Sequence, residues 1–187
     1  DQPPVAFPKE AKVGEGSLAP AESALRYDQY KHYVIPQARG IFLLHQLRMR
    51  LGNALFGKVM REIHTRFREK PMTTREFTET ASRISGQDLD SFIAQWLLRE
   101  DMPDPEIEAE AEESAGGWNV RLRIRQKEPY HFFTTVAVEA SKTAWQTVEV
   151  SGERTEIVIP AASKPAALRF NAGGDIPVRL EHCYTMG

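Results

Sequence analysis

The chain has 187 residues, of which 41% are hydrophobic and 27% charged, with a formal net charge of -2, the balance of a folded globular protein rather than a disordered one. That length carries one ordinary domain or two small ones and buries roughly 70% of its extended surface. A charge so near zero exerts no long-range pull on nucleic acid or an anionic membrane, and no apolar run approaches the roughly 20 residues that span a bilayer.

The first zone, residues 1–36, reads as irregular. Pro3, Pro4, Pro8 and Pro20, with Gly14 and Gly16, break any long period, although residues 21–34 leave room for a short helix. An irregular stretch of this length is expected to lie against a surface. The opening DQPPVAFPKEAK has neither the basic start nor the apolar run of a signal peptide and no initiating Met, so further sequence is expected upstream.

From residue 37 the apolar period becomes helical. Pro36 suits a first helical turn, and Leu44, Leu47 and Leu51 follow on one face, widened by Ile41, Phe42 and Leu43. Gly52 is expected to end this helix. A second helix sets Leu55, Val59 and Ile63 on one stripe and stops before Pro71. Thr73 and Glu76 have capping-box spacing ahead of Phe77, Ala81 and Ile84, and Gly86 suits a left-handed stop. A fourth helix is expected over residues 88–98, with Leu89, Phe92, Ile93, Trp96 and Leu97 inward. Short connections favour antiparallel helical hairpins.

After Met102-Pro103-Asp104-Pro105 the period switches to two. Trp118, Val120, Leu122 and Ile124 alternate with Asn119, Arg121, Arg123 and Arg125, the pattern of a strand with one buried face. Further strands are expected over residues 107–111, 132–140, 145–150, 155–159, 168–170 and 176–180. Seven short strands fit an immunoglobulin-like sandwich. The expected class is therefore α+β: helical hairpins over residues 37–102, then a β-sandwich over residues 103–187.

Candidate chemistry is sparse. His32, His45, His64, His131 and His182 include no pair at the i, i+4 spacing that lets two imidazoles on one helix face grip zinc. His45 and His64 are the two that a cleft could use. Cys183, the single cysteine, forms neither an internal disulfide nor a thiolate metal site, and is compatible with cytoplasm or periplasm alike. Glu106, Glu108, Glu110 and Glu112 form one outer strand face; a turn at Ser114-Ala115-Gly116-Gly117 would bring Arg121, Arg123 and Arg125 beside them as a solvated charge ladder. No Gly-x-Ser-x-Gly elbow is present, and Ala172-Gly173-Gly174-Asp175 lacks the strand-to-helix setting of a phosphate loop.

The string GIFLLHQLRMRLGNALFGKVMREIHTRF, residues 40–67, followed by TTREF and SGQDLDSFIAQWL, resembles the aminopeptidase N family of zinc metallopeptidases (gluzincins). The matching positions are Arg39-Gly40, Leu47-Arg48, Leu51-Gly52, Phe56, Thr74, Glu76-Phe77, Ser85-Gly86, Asp88-Leu89, Phe92 and Gln95-Trp96. The likeness covers residues 37–102, and the β-rich part is similar to the sandwich that follows the helices in that family. It implies the C-terminal part of a peptide-bond hydrolase, with residues 1–36 as the tail of the catalytic region. Its partners would be a preceding catalytic half and, in the intact parent, a peptide substrate.

Two departures limit what the resemblance implies. The family's His-Glu-x-x-His helix and downstream Glu would lie before Asp1, so zinc is expected in the parent and no cofactor in this chain. The tyrosine that steadies the oxyanion in that family aligns with Gln37, while Tyr33, four residues earlier, is the one candidate substitute. The chain alone is expected to be inactive. The alternatives are a degenerate relative kept for binding or scaffolding, or an unrelated helical domain joined to a sandwich that binds carbohydrate or protein.

Overall fold

A computed structural model describes residues 30–177 and 182–185, with residues 30–38 and 182–183 as backbone only. The architecture is mixed α+β: helices α1 (Tyr30–Phe67), α2 (Thr74–Ser85) and α3 (Asp90–Leu98), then strands β1 (Glu106–Ser114), β2 (Gly117–Arg125), β3 (Phe132–Glu139), β4 (Ala144–Val150), β5 (Arg154–Ala161), β6 (Ala167–Phe170) and β7 (His182–Thr185).

The two helices expected on either side of Gly52 form one element, α1, broken where Gly52 adopts φ 73° and ψ 161°. Only glycine reaches that region without strain. Leu43 and Leu47 before the break, and Val59 and Ile63 after it, are buried at four-residue spacing. The described part of the helix runs from Tyr30, so residues 30–36 are helical and Pro36 stands inside the element, not in its first turn.

The capping box at α2 forms as its spacing predicts. The Thr73 hydroxyl accepts the Glu76 amide at 3.2 Å, and the Glu76 carboxylate accepts the Thr73 amide at 2.9 Å. Gly86 closes the helix at φ 70°, donating to the Ser82 carbonyl at 2.9 Å. Helix α3 starts two residues later than expected, with the Asp88 carboxylate accepting the Asp90 amide at 3.0 Å. It buries Phe92, Ile93, Trp96 and Leu97.

The strands form two antiparallel sheets, ordered β1-β2-β5 and β4-β3-β6-β7. Alternation decides which side of β2 is inward: Val120, Leu122 and Ile124 are buried, and the arginines between them face out. The ladder expected there is diagonal. Arg123 lies opposite Glu108 in register but pairs with Glu110 at 3.0 Å; Arg121 reaches Glu112 at 2.7 Å and Arg125 reaches Glu108 at 3.6 Å. At the turn into β2, a Cβ on Gly117 would stand 2.7 Å from the Ala161 carbonyl oxygen, which reserves the position for glycine.

Of the strand expected over residues 176–180, residues 178–180 lie outside the described residues; Ile176 and Pro177 are not in a strand, and β7, His182–Thr185, pairs with β6. The Asn171 side chain accepts the Ile176 amide at 3.1 Å and donates to the Ile176 carbonyl at 2.9 Å, holding that backbone in a loop. One apolar core runs from Leu47, Phe92 and Trp96 of the helices through Tyr130 to Phe132, Val136 and Leu168 of the sheets.

Candidate functional site

The two positions singled out by the sequence, Tyr33 and Gln37, lie one helical turn apart in the first turns of α1, where the structure describes backbone alone. The histidines whose side chains are described, His45, His64 and His131, do not assemble. The imidazole of His45 meets Asp175 at 2.8 Å, that of His131 meets Glu149 at 2.7 Å, and His64 is exposed. Among the described residues no group of three or more His, Cys, Asp or Glu side chains could hold a metal ion, so those residues do not fit a zinc site. No reaction step is assigned to them.

What the chain does assemble is a polar junction where α1 and α3 meet the sheets. Two residues beyond Gln37, Arg39 is 1% exposed, and among the described residues its guanidinium donates only to backbone carbonyls. Nη1 reaches Trp96 at 3.3 Å and also the Arg99 carbonyl; Nη2 reaches Glu100 at 3.0 Å and Asp101 at 3.3 Å. Trp96 belongs to the last turn of α3, whose carbonyls lack partners within the helix, and Arg99, Glu100 and Asp101 follow it; a cation there also complements the helix dipole. Burial pulls the Arg39 pKa below the ordinary arginine value, opposed by Tyr130, Asp101 and Glu100.

The same corner reaches the β region through Asp101 and Tyr130. The Tyr130 hydroxyl donates to the Asp101 carbonyl at 2.8 Å and lies 3.3 Å from its carboxylate. Arg99 stacks 3.9 Å above the Tyr130 ring, donates to Asp101 at 2.8 Å and to the Pro129 carbonyl at 2.6 Å. Burial works against a charge on Asp101, yet the hydrogen bond and charge of Arg99 hold its carboxyl below the usual carboxylate range. Burial, with Asp101 nearby, pushes the Tyr130 phenol up to about 12.

A second set of contacts completes the edge of β3. Strand β6 pairs with β3 only from Ala137 to Glu139, which leaves the earlier backbone groups on that side without strand partners. Thr135 accepts from the Ala172 amide at 2.8 Å and donates to the Asp175 carboxylate at 2.6 Å. Phe133 exchanges two bonds with the Gln46 amide, at 2.7 and 2.8 Å. His131 does the same with Gln95, at 2.9 and 2.6 Å. Each glutamine amide presents one donor and one acceptor, as a neighbouring peptide would. Gln46 also donates to the Asp175 carbonyl at 2.8 Å, and His45 lies on the Asp175 carboxylate, so adjacent helical residues grip the 171–175 loop.

Gln46 and Gln95 lie in the strings that carry the family resemblance and Asp175 in the Ala172-Gly173-Gly174-Asp175 run, but the sequence points to none of these roles. No local signal exists: Gln46 stands 87 residues from Phe133 and 129 from Asp175. A groove of about 410 Å³ also opens between α2 and α3, floored by Ile93, Ala94 and Leu97 and rimmed by Arg75, Glu79 and Asp90.

No family model matches the chain, and no curated protein matches it in sequence. Its fold is similar to part of the crystal structure of Legionella pneumophila aminopeptidase A in complex with aspartic acid, with a TM-score of 0.66 and 16% identity. The match covers 83% of this chain and 19% of that one, so the chain spans about a fifth of that structure's length. At that identity the likeness is one of architecture alone.

Proposed function

We propose that this chain is the C-terminal part of an aminopeptidase-N-like zinc metallopeptidase, in which it supplies a helical wall and an immunoglobulin-like β-sandwich. The observation that carries the reading is the fold likeness to an aminopeptidase over 83% of the chain, joined to the residue succession from Arg39-Gly40 to Gln95-Trp96. The order β1-β2-β5 beside β4-β3-β6-β7 supports the sandwich. Zinc and its ligands belong to the preceding catalytic half, where the ion would polarise the peptide carbonyl and supply an activated water. The part left to this chain is Gln37, whose amide N–H would donate to the oxyanion of the substrate where relatives use a tyrosine.

Purified alone, the chain is expected to hydrolyse no aminoacyl substrate with zinc added; robust turnover refutes the reading. In the intact parent, removing one oxyanion donor costs roughly 2.7–4 kcal/mol of barrier, so Gln37→Ala should lower kcat strongly with little change in KM. Gln37→Tyr should restore or raise it. An unchanged kcat in Gln37→Ala removes Gln37 from the site, and Tyr33→Phe then tests the substitute.

A second reading, a degenerate relative kept for binding or scaffolding, is favoured by the loss of a phenol at position 37. Coding sequence upstream of Asp1 separates the two, because only the enzyme needs His-Glu-x-x-His followed by a glutamate.

A further inference from the structure

We propose that Arg39 is the positioning residue for the start of α1: by clamping the carbonyls at the end of α3, it fixes where residue 37 is held relative to the rest of the chain. The proposal rests on the reading of Gln37 given above and adds the element that sets its place.

The geometry supports a locating role more than a stabilising one. Arg39 and Trp96 are both buried, and Arg39 Nε and Trp96 Nε1 have no hydrogen-bond partner among the described residues. Desolvating a cation with one donor left unbonded is unfavourable. An apolar side chain would hold α1 against α3 without that penalty, but it would permit sliding and rotation. Four carbonyls at fixed positions do not. A planar guanidinium meets them with a rigid fork, whereas an ammonium on a flexible stem would satisfy fewer at once.

The clamp also has a long reach. Trp96 belongs to the last turn of α3, Arg99 and Glu100 follow it, and Asp101 receives the Tyr130 hydroxyl from the β region. Arg39 thus refers the start of α1 to α3 and the β region together. Residue 37 lies two positions, or about 3 Å of helix rise, before it. Leu43, the next buried apolar residue of α1, is a full turn further on.

The test is a distance measured in the full chain. Spin labels at Gln37→Cys and at the exposed Lys127→Cys, in a Cys183→Ser background, report the spread of separations between the α1 start and the β region by pulsed electron resonance. With Arg39 present, one narrow distribution is expected. Arg39→Met should lose the single peak, and Arg39→Lys should recover part of it, with a width between the other two. An equally narrow distribution in Arg39→Met, or a broad one with Arg39 intact, overturns the proposal. If circular dichroism shows that Arg39→Met does not fold, Arg39→Lys decides alone, and a width equal to that of Arg39 overturns it. None of these outcomes depends on whether the Gln37 amide meets an oxyanion, which the kcat of Gln37→Ala answers separately.

Discussion

Tyr130 shows how a single buried side chain links folding to alkaline pH. Its hydroxyl donates to Asp101, and the buried phenolate would lose that donation while standing beside a carboxylate. Arg99 and Arg39 favour the phenolate, but burial prevails and the pKa rises to about 12 from an ordinary 10. The folded-state pKa lies above the unfolded one, so the contribution is complete below pH 10 and is lost as pH climbs towards 12. The shift corresponds to at most about 3 kcal/mol. Tyr130→Phe should be less stable than the parent chain in urea at about pH 8, and the gap should narrow at about pH 11 as the parent weakens. A gap constant across that range would place the titration elsewhere. Nothing in the sequence around Tyr130 announces this role, because the burial arises from packing against distant elements and the charge that adds to it, Asp101, comes from the turn after α3.

At the scale of elements, the sequence is informative wherever the determining contacts are local. The Thr73–Glu76 box and the Gly86 stop are legible because cap and partner lie within four residues. The β2 alternation and the Glu–Arg ladder are legible because hairpin neighbours share one register. Ile176, expected to open a strand, sits in a loop for the opposite reason: its apolar side chain suits a sheet, but Asn171, five residues away, holds its backbone. Gly52 is a sharper case. Read as a helix interior, it invites Gly→Ala as a stabilising change, since alanine is favoured there by about 1 kcal/mol. Its φ of 73° and ψ of 161° reverse the sign. No side chain crowds the position, so the effect is backbone strain alone. Gly52→Ala should destabilise by about 1–3 kcal/mol, measured as a lower urea midpoint with an unchanged slope. A higher midpoint would mean that α1 runs straight through residue 52.

For the whole molecule, the question is whether the boundary near residue 102, where helical period gives way to strand period, also divides the folding. The edge of β3 argues that it does not. His131 and Phe133 depend on Gln95 and Gln46, and Thr135 depends on an Asp175 that Gln46 and His45 also hold. Separating helices from sheets would leave those backbone groups to water and expose Phe92, which packs edge-on against His131 at 5.3 Å and Phe133 at 6.4 Å. A hydrogen bond exchanged for water loses about 0.5–1.5 kcal/mol, and several are lost together with the burial of Phe92, a total comparable to the stability of many small domains. The helices and sheets should therefore unfold in one transition. Hydrogen exchange resolved by segment checks this: protected amides of α1 and of β3 should share one opening free energy, and Gln46→Ala should lower both alike. If α1 opens at markedly lower free energy than β3, the junction joins two separately stable parts, and the glutamines hold them together without coupling their folding.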